Sequence, residues 1–263
     1  MNYKGVVFFD YDGTLADERE GIYYPTDLTI NSLKKLSENG YLTILATGRS
    51  KCYAPDSSIN FGGYVTANGA YAEIDGKTLY ESFIDEEDVR DICTEFDEKG
   101  LFYSLENQQN GYAKDIKNKF FCSMLENFNI PKNVFIPLED EHFKCASKLL
   151  LVYNSDDEYD YLSKKYSDKF TFDKHRKFMS CDIAKKGINK AVGVEAIIKA
   201  LGIDFDNTYA FGDGSNDYGM LKAVKHGIAM GYHAPILDEV CETVCDTVEN
   251  EGITKALKDY KLI

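Results

Sequence analysis

The N-terminal part of the chain alternates short apolar runs with polar turns and one amphipathic stretch. Lys4–Phe9 and Tyr41–Ala46 have the length and apolar content of strands buried on both faces. Between them, Thr26 or Asp27 can cap a helix that extends to about Glu38. The apolar side of this helix is predicted to carry Leu28, Leu33 and Leu36. The other elements predicted here are a strand at Tyr64–Ala67 and a hairpin of Tyr71–Ile74 and Thr78–Ser82 around Asp75-Gly76.

The middle of the chain mixes strands and helices without regular alternation. Asp85–Gly100 is a charged helix candidate, and a polar stretch follows the strand after it. The strands predicted in this part are Leu101–Leu105, Ser147–Tyr153, Phe170–Asp173 and Lys177–Ile183. This pattern is typical of an α+β domain rather than of a continued parallel sheet.

From about Lys185 the strand–helix alternation resumes. The predicted helices are Asn189–Leu201, Ser215–Val224, Pro235–Glu242 and Ile253–Tyr260, and the predicted strands are Thr208–Phe211 and Gly227–Met230. The chain therefore reads as α/β: a core of parallel sheet with helices on both faces over residues 1–82 and 184–263, interrupted by an inserted α+β domain over 83–183.

Charge and composition exclude several classes of protein. The 263 residues include 30 Lys and Arg against 44 Asp and Glu, a net charge of −14. Nucleic acid and anionic membranes would be repelled, so neither is expected as a partner. No apolar run reaches the roughly 18–20 residues of a membrane span. Seven scattered Cys form no C-x-x-C pair and Met1–Lys4 shows no signal-peptide pattern, so free thiols and a cytoplasmic location are expected.

Polar clusters follow the predicted strands or begin the predicted helices. In an open α/β sheet, ligands bind beyond the carboxyl ends of the strands, so these clusters are expected to converge. They are Asp10-x-Asp12-Gly13-Thr14, Thr47-Gly48-Arg49, Lys190, and Gly212-Asp213-Gly214-Ser215-Asn216-Asp217. Any one of them could be ordinary turn and cap chemistry, since Asp commonly follows a strand. Their coincidence at one edge of the sheet favours a functional site.

The carboxylates of this set suit a hard cation. Asp10 and Asp12 lie two residues apart on extended chain, so their side chains point to the same side, and their charges repel unless a cation is present. Asp213 and Asp217 add two further carboxylates. A set with oxygen ligands alone favours Mg²⁺.

Two cationic or hydroxyl-bearing positions could face an anion. Thr47-Gly48-Arg49 offers a hydroxyl, a flexible backbone and a planar cation, which fit a phosphate oxygen. Lys190 follows the helix cap Asn189, where a cation opposes the helix dipole. On spacing alone, Lys190 is more simply a surface lysine beside Lys185 and Lys186.

The glycine-rich segment 212–217 matches none of the common nucleotide or calcium loops. A dinucleotide fingerprint needs Gly at position 217, where Asp217 stands, and the phosphate-binding P-loop sequence is absent. An EF-hand needs Glu eleven residues after Asp213, where Val224 stands. No G-x-S-x-G sequence supports a serine hydrolase.

In this order the four clusters resemble the four motifs of the haloacid dehalogenase-like hydrolase superfamily. The insert between the second and third motifs is similar to the Cof-type branch, which has a large α/β cap. Ala67-Asn68-Gly69-Ala70 and Ile228-Ala229-Met230-Gly231 also resemble that branch, whereas Tyr232-His233 stand where it commonly has Asn-Ala. The resemblance implies a Rossmann-like core with the cap at 83–183.

The resemblance also implies roles for individual residues. Asp10 would be the nucleophile that forms an aspartyl-phosphate, and Asp12 the general acid and base; the residue chemistry alone leaves open which is which. Thr47 and Lys190 would hold and neutralise the transferring phosphoryl group. The implied phosphate- or substrate-binding residues are Gly48, Arg49, Asn68 and Asn216, and the implied Mg²⁺ ligands are Asp10, Asp12 through its backbone carbonyl, Asp213 and Asp217.

The expected function is therefore a Mg²⁺-dependent phosphatase of small phosphorylated metabolites, such as a sugar phosphate or a phosphorylated cofactor. Two alternatives stay open. A phosphomutase or phosphotransferase would keep the covalent step and change the acceptor. A non-catalytic regulator would bind phosphorylated ligands, but it would have no need of both Asp10 and Asp12.

Overall fold

The structure is a computed structural model that describes residues 3–55, 59–175 and 178–263. In chain order its strands are β1 (Gly5–Phe9), β2 (Tyr41–Ala46), β3 (Gly63–Thr66), β4 (Tyr71–Ile74), β5 (Lys77–Glu81), β6 (Phe102–Glu106), β7 (Gly111–Ala113), β8 (Phe135–Pro137), β9 (Lys148–Val152), β10 (Phe170–Lys174), β11 (Ser180–Lys185), β12 (Thr208–Gly212), β13 (His226–Ala229) and β14 (Thr243–Val244). Its α-helices are α1 (Asp27–Glu38), α2 (Glu86–Glu98), α3 (Lys119–Asn127), α4 (Asp156–Lys165), α5 (Lys190–Leu201), α6 (Tyr218–Lys222) and α7 (Gly252–Asp259).

The chain divides into two compact units. The first comprises Met1–Gly48, Pro55–Glu81 and Asn189–Ile263, and the second comprises Arg49–Ala54 and Ser82–Ile188. The crossing at 81/82 lies one residue from the boundary predicted at 82/83, and the crossing at 188/189 lies five residues after the one predicted at 183/184. Segment 49–54, which the sequence placed in the core, belongs to the second unit.

The first unit is built on an eight-stranded sheet in the order β14-β13-β12-β1-β2-β3-β4-β5. The strands from β14 to β3 are parallel, and the hairpin β4–β5 adds two antiparallel strands at one edge. Helices α1 and α7 pack together, as do α5 and α6, and helices lie on both faces of the sheet. The predicted α/β fold class is confirmed.

Burial on both faces explains why the central strands are apolar along their whole length. All five residues of β1 are buried, and Val6 and Phe8 join the side chains of α5 and α6 in one core. Each fully buried side chain of this size contributes roughly 1.5–3 kcal/mol through removal from water. A charge at Val6 or Phe8 would therefore disrupt the unit.

Helix α1 is capped as predicted by Thr26, whose side chain accepts a hydrogen bond from Thr29 N at 3.1 Å. Leu33 and Leu36 are buried, but Leu28 is 48% exposed, so its predicted place on the buried side is wrong. Hydroxyl groups occupy the remaining buried positions of the helix: Ser32 shares a hydrogen bond of 2.9 Å with Thr254 of α7. The sequence therefore predicts the helical period of α1 correctly, but the surface that α1 packs against α7 is partly polar.

Two predicted helices in the C-terminal part are shorter than expected. Pro235–Glu239 is a 3₁₀ helix that ends three residues before the predicted end at Glu242, and the strand β14 begins directly after that predicted end. Ser215–Asp217 is a 3₁₀ turn, and α6 begins only at Tyr218. The side chain of Asp217 accepts hydrogen bonds from the backbone N–H groups of Asp213 and Gly214 in the preceding loop.

The second unit has its own six-stranded sheet in the order β10-β11-β9-β6-β7-β8, in which only β7 and β8 pair in parallel. A core of apolar side chains from α2, α4 and the strands includes Phe96, Leu105 and Ile183. A smaller cluster groups Tyr53 with Phe121 and Met124 of α3.

Within the described residues, no helix is long and apolar enough to cross a membrane. All seven Cys are free thiols, as predicted.

Candidate active site

The carboxyl ends of three neighbouring strands carry the predicted site residues to one edge of the first unit's sheet. β1 lies between β12 and β2, with Phe9 in register with Phe211 and Leu45. Asp10 follows β1 directly, and its N–H donates to Phe211 O at 3.0 Å, which continues the ladder by one residue. Thr47 follows β2 and Asp213 follows β12. The parallel register therefore places these side chains side by side, as predicted.

Lys190 reaches the same edge from the start of α5. Asn189 caps the helix by accepting a hydrogen bond from Ala191 N at 2.9 Å. The Lys190 side chain is fully buried, and its Nζ donates to Asp10 Oδ1 and Asp217 Oδ1, both at 2.5 Å. The interpretation of Lys190 as a surface lysine, which the spacing alone favoured, is wrong. Two carboxylates compensate for its burial and its place at a helix N-terminus.

Burial and crowding shift the pKa values of this group. Burial and the charge of Asp217 raise the pKa of Asp10 well above its usual range, while Lys190 opposes that change. Burial works against the charged form of Lys190, but Asp10 and Asp217 outweigh it and raise the pKa of Lys190. Lys190 is therefore a permanent cation at this edge, and the carboxylates around it outnumber it.

Asp213 and Asp217 have different surroundings. Asp217 is fully buried, and its Oδ2 accepts from the backbone N–H groups of Asp213 and Gly214 at 3.0 and 2.9 Å. Since its Oδ1 accepts from Lys190, Asp217 organises the loop and the ammonium together. Asp213 instead contacts Thr14 Oγ1 at 3.4 Å and Arg19 Nη2 at 3.3 Å.

The oxygen atoms of this group could hold a divalent cation. Among the described residues, Asp10, Asp213 and Asp217 bring carboxylate oxygens within 4.8 Å of one another. An all-oxygen donor set fits Mg²⁺, and a dication would balance the excess of carboxylates over Lys190. Asp12 lies outside this cluster and its side chain is exposed, which leaves its carboxylate accessible to a substrate. Its predicted backbone contribution to the metal stays a prediction.

Gly13 controls how closely the first motif approaches Asp213. Its φ is +101°, and a Cβ there would lie 2.2 Å from Asp213 Oδ2. We expect Gly13→Ala to displace the Asp213 carboxylate and to lower catalytic rate by about a hundredfold, as small misplacements of reacting groups do. Phosphate release and divalent-cation affinity would measure the change.

Gly21→Ala is the matched control for Gly13→Ala. Gly21 lies in the same loop and also has positive φ, +72°, but nothing lies within 4 Å of the Cβ position. The control therefore adds backbone strain without a clash. If both variants lost the same activity, the close approach to Asp213 would not be the cause.

Asn68 and Asn216 join the loop after β3 to the loop after β12. Asn68 is buried in left-handed conformation, and its Oδ1 accepts from Asn216 Nδ2 at 3.2 Å. Gly48 lies against Asn68, since a Cβ at Gly48 would meet Asn68 Oδ1 at 3.0 Å. Thr47 is buried beside them, with its N–H bonded to Val65 O at 2.8 Å. The predicted phosphate-binding residues other than Arg49, which are Gly48, Asn68 and Asn216, thus lie in the first unit.

Arg49 belongs to the second unit, where its Nη1 donates to Phe128 O at 2.9 Å. Its predicted contact with a phosphate stays a prediction.

The Tyr232-His233 segment lies in the first unit: His233 hydrogen-bonds Met230 O at 2.6 Å and Asp238 at 3.1 Å, so it holds its own loop together. Tyr232 is exposed and lies beside Arg19.

Sequence reasoning missed Asp17 and Arg19. Asp17 is buried and bonds the Arg19 side chain, which reaches Asp213 across 194 positions of sequence. A carboxylate and a cation two residues apart just after the first motif were the available signal. Such pairs are common in turns, so the signal is weak without coordinates.

The chain is similar to known proteins along nearly its whole length. A model of the haloacid dehalogenase-like hydrolase family matches residues 7–257. The chain is 28% identical to "Putative phosphatase YkrA" of Bacillus subtilis (strain 168) over 265 residues, 98% of each chain. It is 24% identical to the 5-amino-6-(5-phospho-D-ribitylamino)uracil phosphatase YitU of the same organism over 272 residues, 97% of each chain.

Solved structures show the same fold. The HAD subclass IIB sugar phosphatase BT4131 has a TM-score of 0.83 and 26% identity, covering 98% of this chain and 100% of that one. The resemblance drawn from the four motifs is confirmed. Since the family model spans nearly the whole chain and its match includes the strand ends and Lys190, the protein belongs to the haloacid dehalogenase-like hydrolases.

Proposed function

We propose that this protein is a Mg²⁺-dependent phosphatase that hydrolyses small phosphorylated metabolites through an aspartyl-phosphate on Asp10. The observation that carries the proposal is the fully buried Lys190, whose Nζ bonds both Asp10 and Asp217 at 2.5 Å beside the Asp213 carboxylate. A buried ammonium among several carboxylates suits a site that receives a dianion and a dication together. The family and its phosphatase relatives support the same reaction class.

In the first step, a carboxylate oxygen of Asp10 attacks phosphorus as the bond from phosphorus to the substrate oxygen breaks. Asp12 donates its proton to that leaving oxygen, which departs as an alcohol. In the second step, Asp12 takes a proton from water, the water oxygen attacks phosphorus, and the bond to Asp10 breaks. Exposure of Asp12 fits this exchange of protons with substrate and water.

Charge cancellation is the other requirement of phosphoryl transfer. Lys190 keeps its positive charge beside Asp10, and Thr47 and Asn216 offer hydrogen-bond donors at the same edge. Asp10, the Asp12 carbonyl and Asp213 would hold Mg²⁺, with Asp217 bonded to the loop behind them. The ion would supply positive charge to the phosphoryl oxygens.

The proposed substrates are a sugar phosphate or a phosphorylated cofactor. The name of BT4131 describes a sugar phosphatase and that of YitU a phosphatase of a phosphorylated ribitylamino-uracil, which supports small phosphorylated metabolites without selecting one of them. The second unit, as the cap that the family resemblance implies, would choose the leaving group.

A cytoplasmic location belongs to the same proposal, because seven free thiols fit a reducing compartment.

The test is release of inorganic phosphate from p-nitrophenyl phosphate and from a panel of phosphorylated metabolites. We expect release with Mg²⁺ and its loss with EDTA. A product that keeps its phosphate would instead indicate a phosphotransferase or mutase. Thermal stabilisation by phosphorylated ligands without turnover would indicate a binding protein.

A further inference from the structure

Arg19 lies in the loop after β1 and is held by a buried carboxylate. Its Nε donates to both oxygens of Asp17, at 2.8 and 3.0 Å, and its Nη2 lies 2.8 Å from Asp17 Oδ2. Asp17 is 3% exposed and also accepts from the Arg19 backbone N–H at 2.9 Å. The guanidinium therefore has a fixed position, unlike that of a mobile surface arginine.

The same guanidinium contacts Asp213. Nη2 lies 3.3 Å from Asp213 Oδ2, and the guanidinium carbon lies 5.7 Å from the centre of the Tyr232 ring. The Tyr232 loop is tied to the same residue, since Ala234 N donates to Asp213 O at 2.7 Å. A cation is thus fixed against one carboxylate of the candidate metal site, and an aromatic ring flanks it.

We propose that Arg19 is a positioning residue that weakens the binding of the divalent cation at Asp213. The inference rests on the proposed function, because it takes Asp213 as a metal ligand. A cation on Asp213 would share that carboxylate with the guanidinium, and their like charges repel. Asp17 keeps the guanidinium in place, so the repulsion persists and favours release and exchange of the metal.

The geometry argues against a purely structural ion pair. A pair serving only the loop would be complete with Asp17, which already accepts three side-chain contacts from Arg19. The contact with Asp213 adds a cation where a metal ligand must carry negative charge. Arg19 is 36% exposed, so added salt should screen its effect.

The experiment measures Mn²⁺ binding by the electron paramagnetic resonance signal of the free ion, and Mg²⁺ by competition, without substrate. We expect Arg19→Gln to bind both ions about fivefold more tightly, the size of a screened charge interaction near a surface. Arg19→Lys keeps the positive charge but loses the multi-point contact of the guanidinium with Asp17, so its metal affinity should lie between that of wild type and that of Arg19→Gln. The difference should shrink in high salt. Equal or weaker binding by Arg19→Gln would overturn the proposal.

Two further measurements keep the result unambiguous. Arg90→Gln makes the same change at an exposed ion pair of the second unit and should leave metal binding unchanged. If Arg19→Gln fails to fold because Asp17 is left unpaired, Asp17→Asn and Asp17→Asn/Arg19→Gln are compared instead, and the double variant must bind more tightly. If metal binding follows these expectations but no phosphate is released, the proposed function alone is contradicted. If the wild-type protein binds neither ion, the inference about Arg19 is contradicted.

Discussion

Asp10→Asn is expected to lower phosphate release by at least about a thousandfold, because the amide cannot form the acyl-phosphate on which both steps depend. The change keeps the size of the side chain and leaves Lys190 bonded to Asp217. Initial rates with Mg²⁺ and p-nitrophenyl phosphate, at protein concentrations high enough to detect a slow background, would measure the loss.

The same substitution should leave the fold intact. Asp10, Asp213 and Asp217 place three carboxylates around Lys190, so removing one negative charge relieves repulsion in the metal-free protein. We therefore expect a melting temperature in EDTA no lower than that of wild type. Asp206→Asn, at an exposed position of the same unit, is the matched control for rate and stability. Retention of more than about a tenth of the activity by Asp10→Asn would contradict the role of Asp10 as nucleophile.

The sheet of the first unit was predictable because its strands are short apolar runs buried on both faces. Tyr41–Ala46 was predicted residue for residue, and the hairpin around Asp75-Gly76 forms with positive φ at both turn residues, as two-residue hairpins prefer. The convergence of Asp10, Thr47 and Asp213 then follows from parallel pairing alone. The burial of Lys190 does not follow from strand pairing, because the sequence around Lys190 does not indicate that its ammonium contacts the carboxylates of Asp10 and Asp217.

The second unit was harder to predict because its elements are short and its helices are rich in aromatic and charged residues. Lys119–Asn127 and Asp156–Lys165 were not predicted as helices, and β7 and β8 have three residues each. Tertiary packing stabilises such elements more than local propensity does. Phe121, for example, is fully buried against Phe102 and Phe135, which lie on separate strands.

No local sequence pattern indicates the ionic cluster inside the second unit. Glu106 on β6 and Lys148 on β9 are in register on neighbouring strands, and both are almost fully buried. Lys148 Nζ lies 3.2 Å from Glu106 Oε2, 3.0 Å from Asp182 Oδ1 and 3.0 Å from Tyr53 OH. Ser50 and Tyr53 also donate to Glu106, which ties segment 49–54 to the sheet.

One ammonium serves two carboxylates in this cluster, so Lys148 stabilises more than one partner. Burial would raise the pKa of Asp182, but Lys148 and His175 outweigh it and lower that pKa to about 2. Burial likewise opposes the charge on Lys148, but Asp182 and Glu106 raise its pKa well above its ordinary value. The stability that Asp182 contributes is complete above its unfolded pKa of about 4 and is lost as the pH falls toward 2.

Lys148→Met should therefore lower the free energy of unfolding of the second unit by about 3–5 kcal/mol at pH 7, because it leaves two buried carboxylates without their cation. Urea unfolding followed by circular dichroism, with hydrogen exchange in β6 and β9 to assign the loss to this unit, would measure it. Lys132→Met is the matched control, since Lys132 pairs with Glu126 at the surface, where such a pair contributes at most about 1 kcal/mol.

The pH dependence separates a lost charge from lost packing. Without Lys148 the pKa of Asp182 should rise in the folded state, so burial of its carboxylate costs most at neutral pH, and that cost shrinks as it protonates on acidification toward pH 4. Adding Glu106→Gln to Lys148→Met removes one unpaired carboxylate and should restore part of the stability at pH 7. A loss that is the same at pH 7 and pH 4, and that Glu106→Gln does not reduce, would show that the Lys148 stem contributes packing and that its charge does not matter.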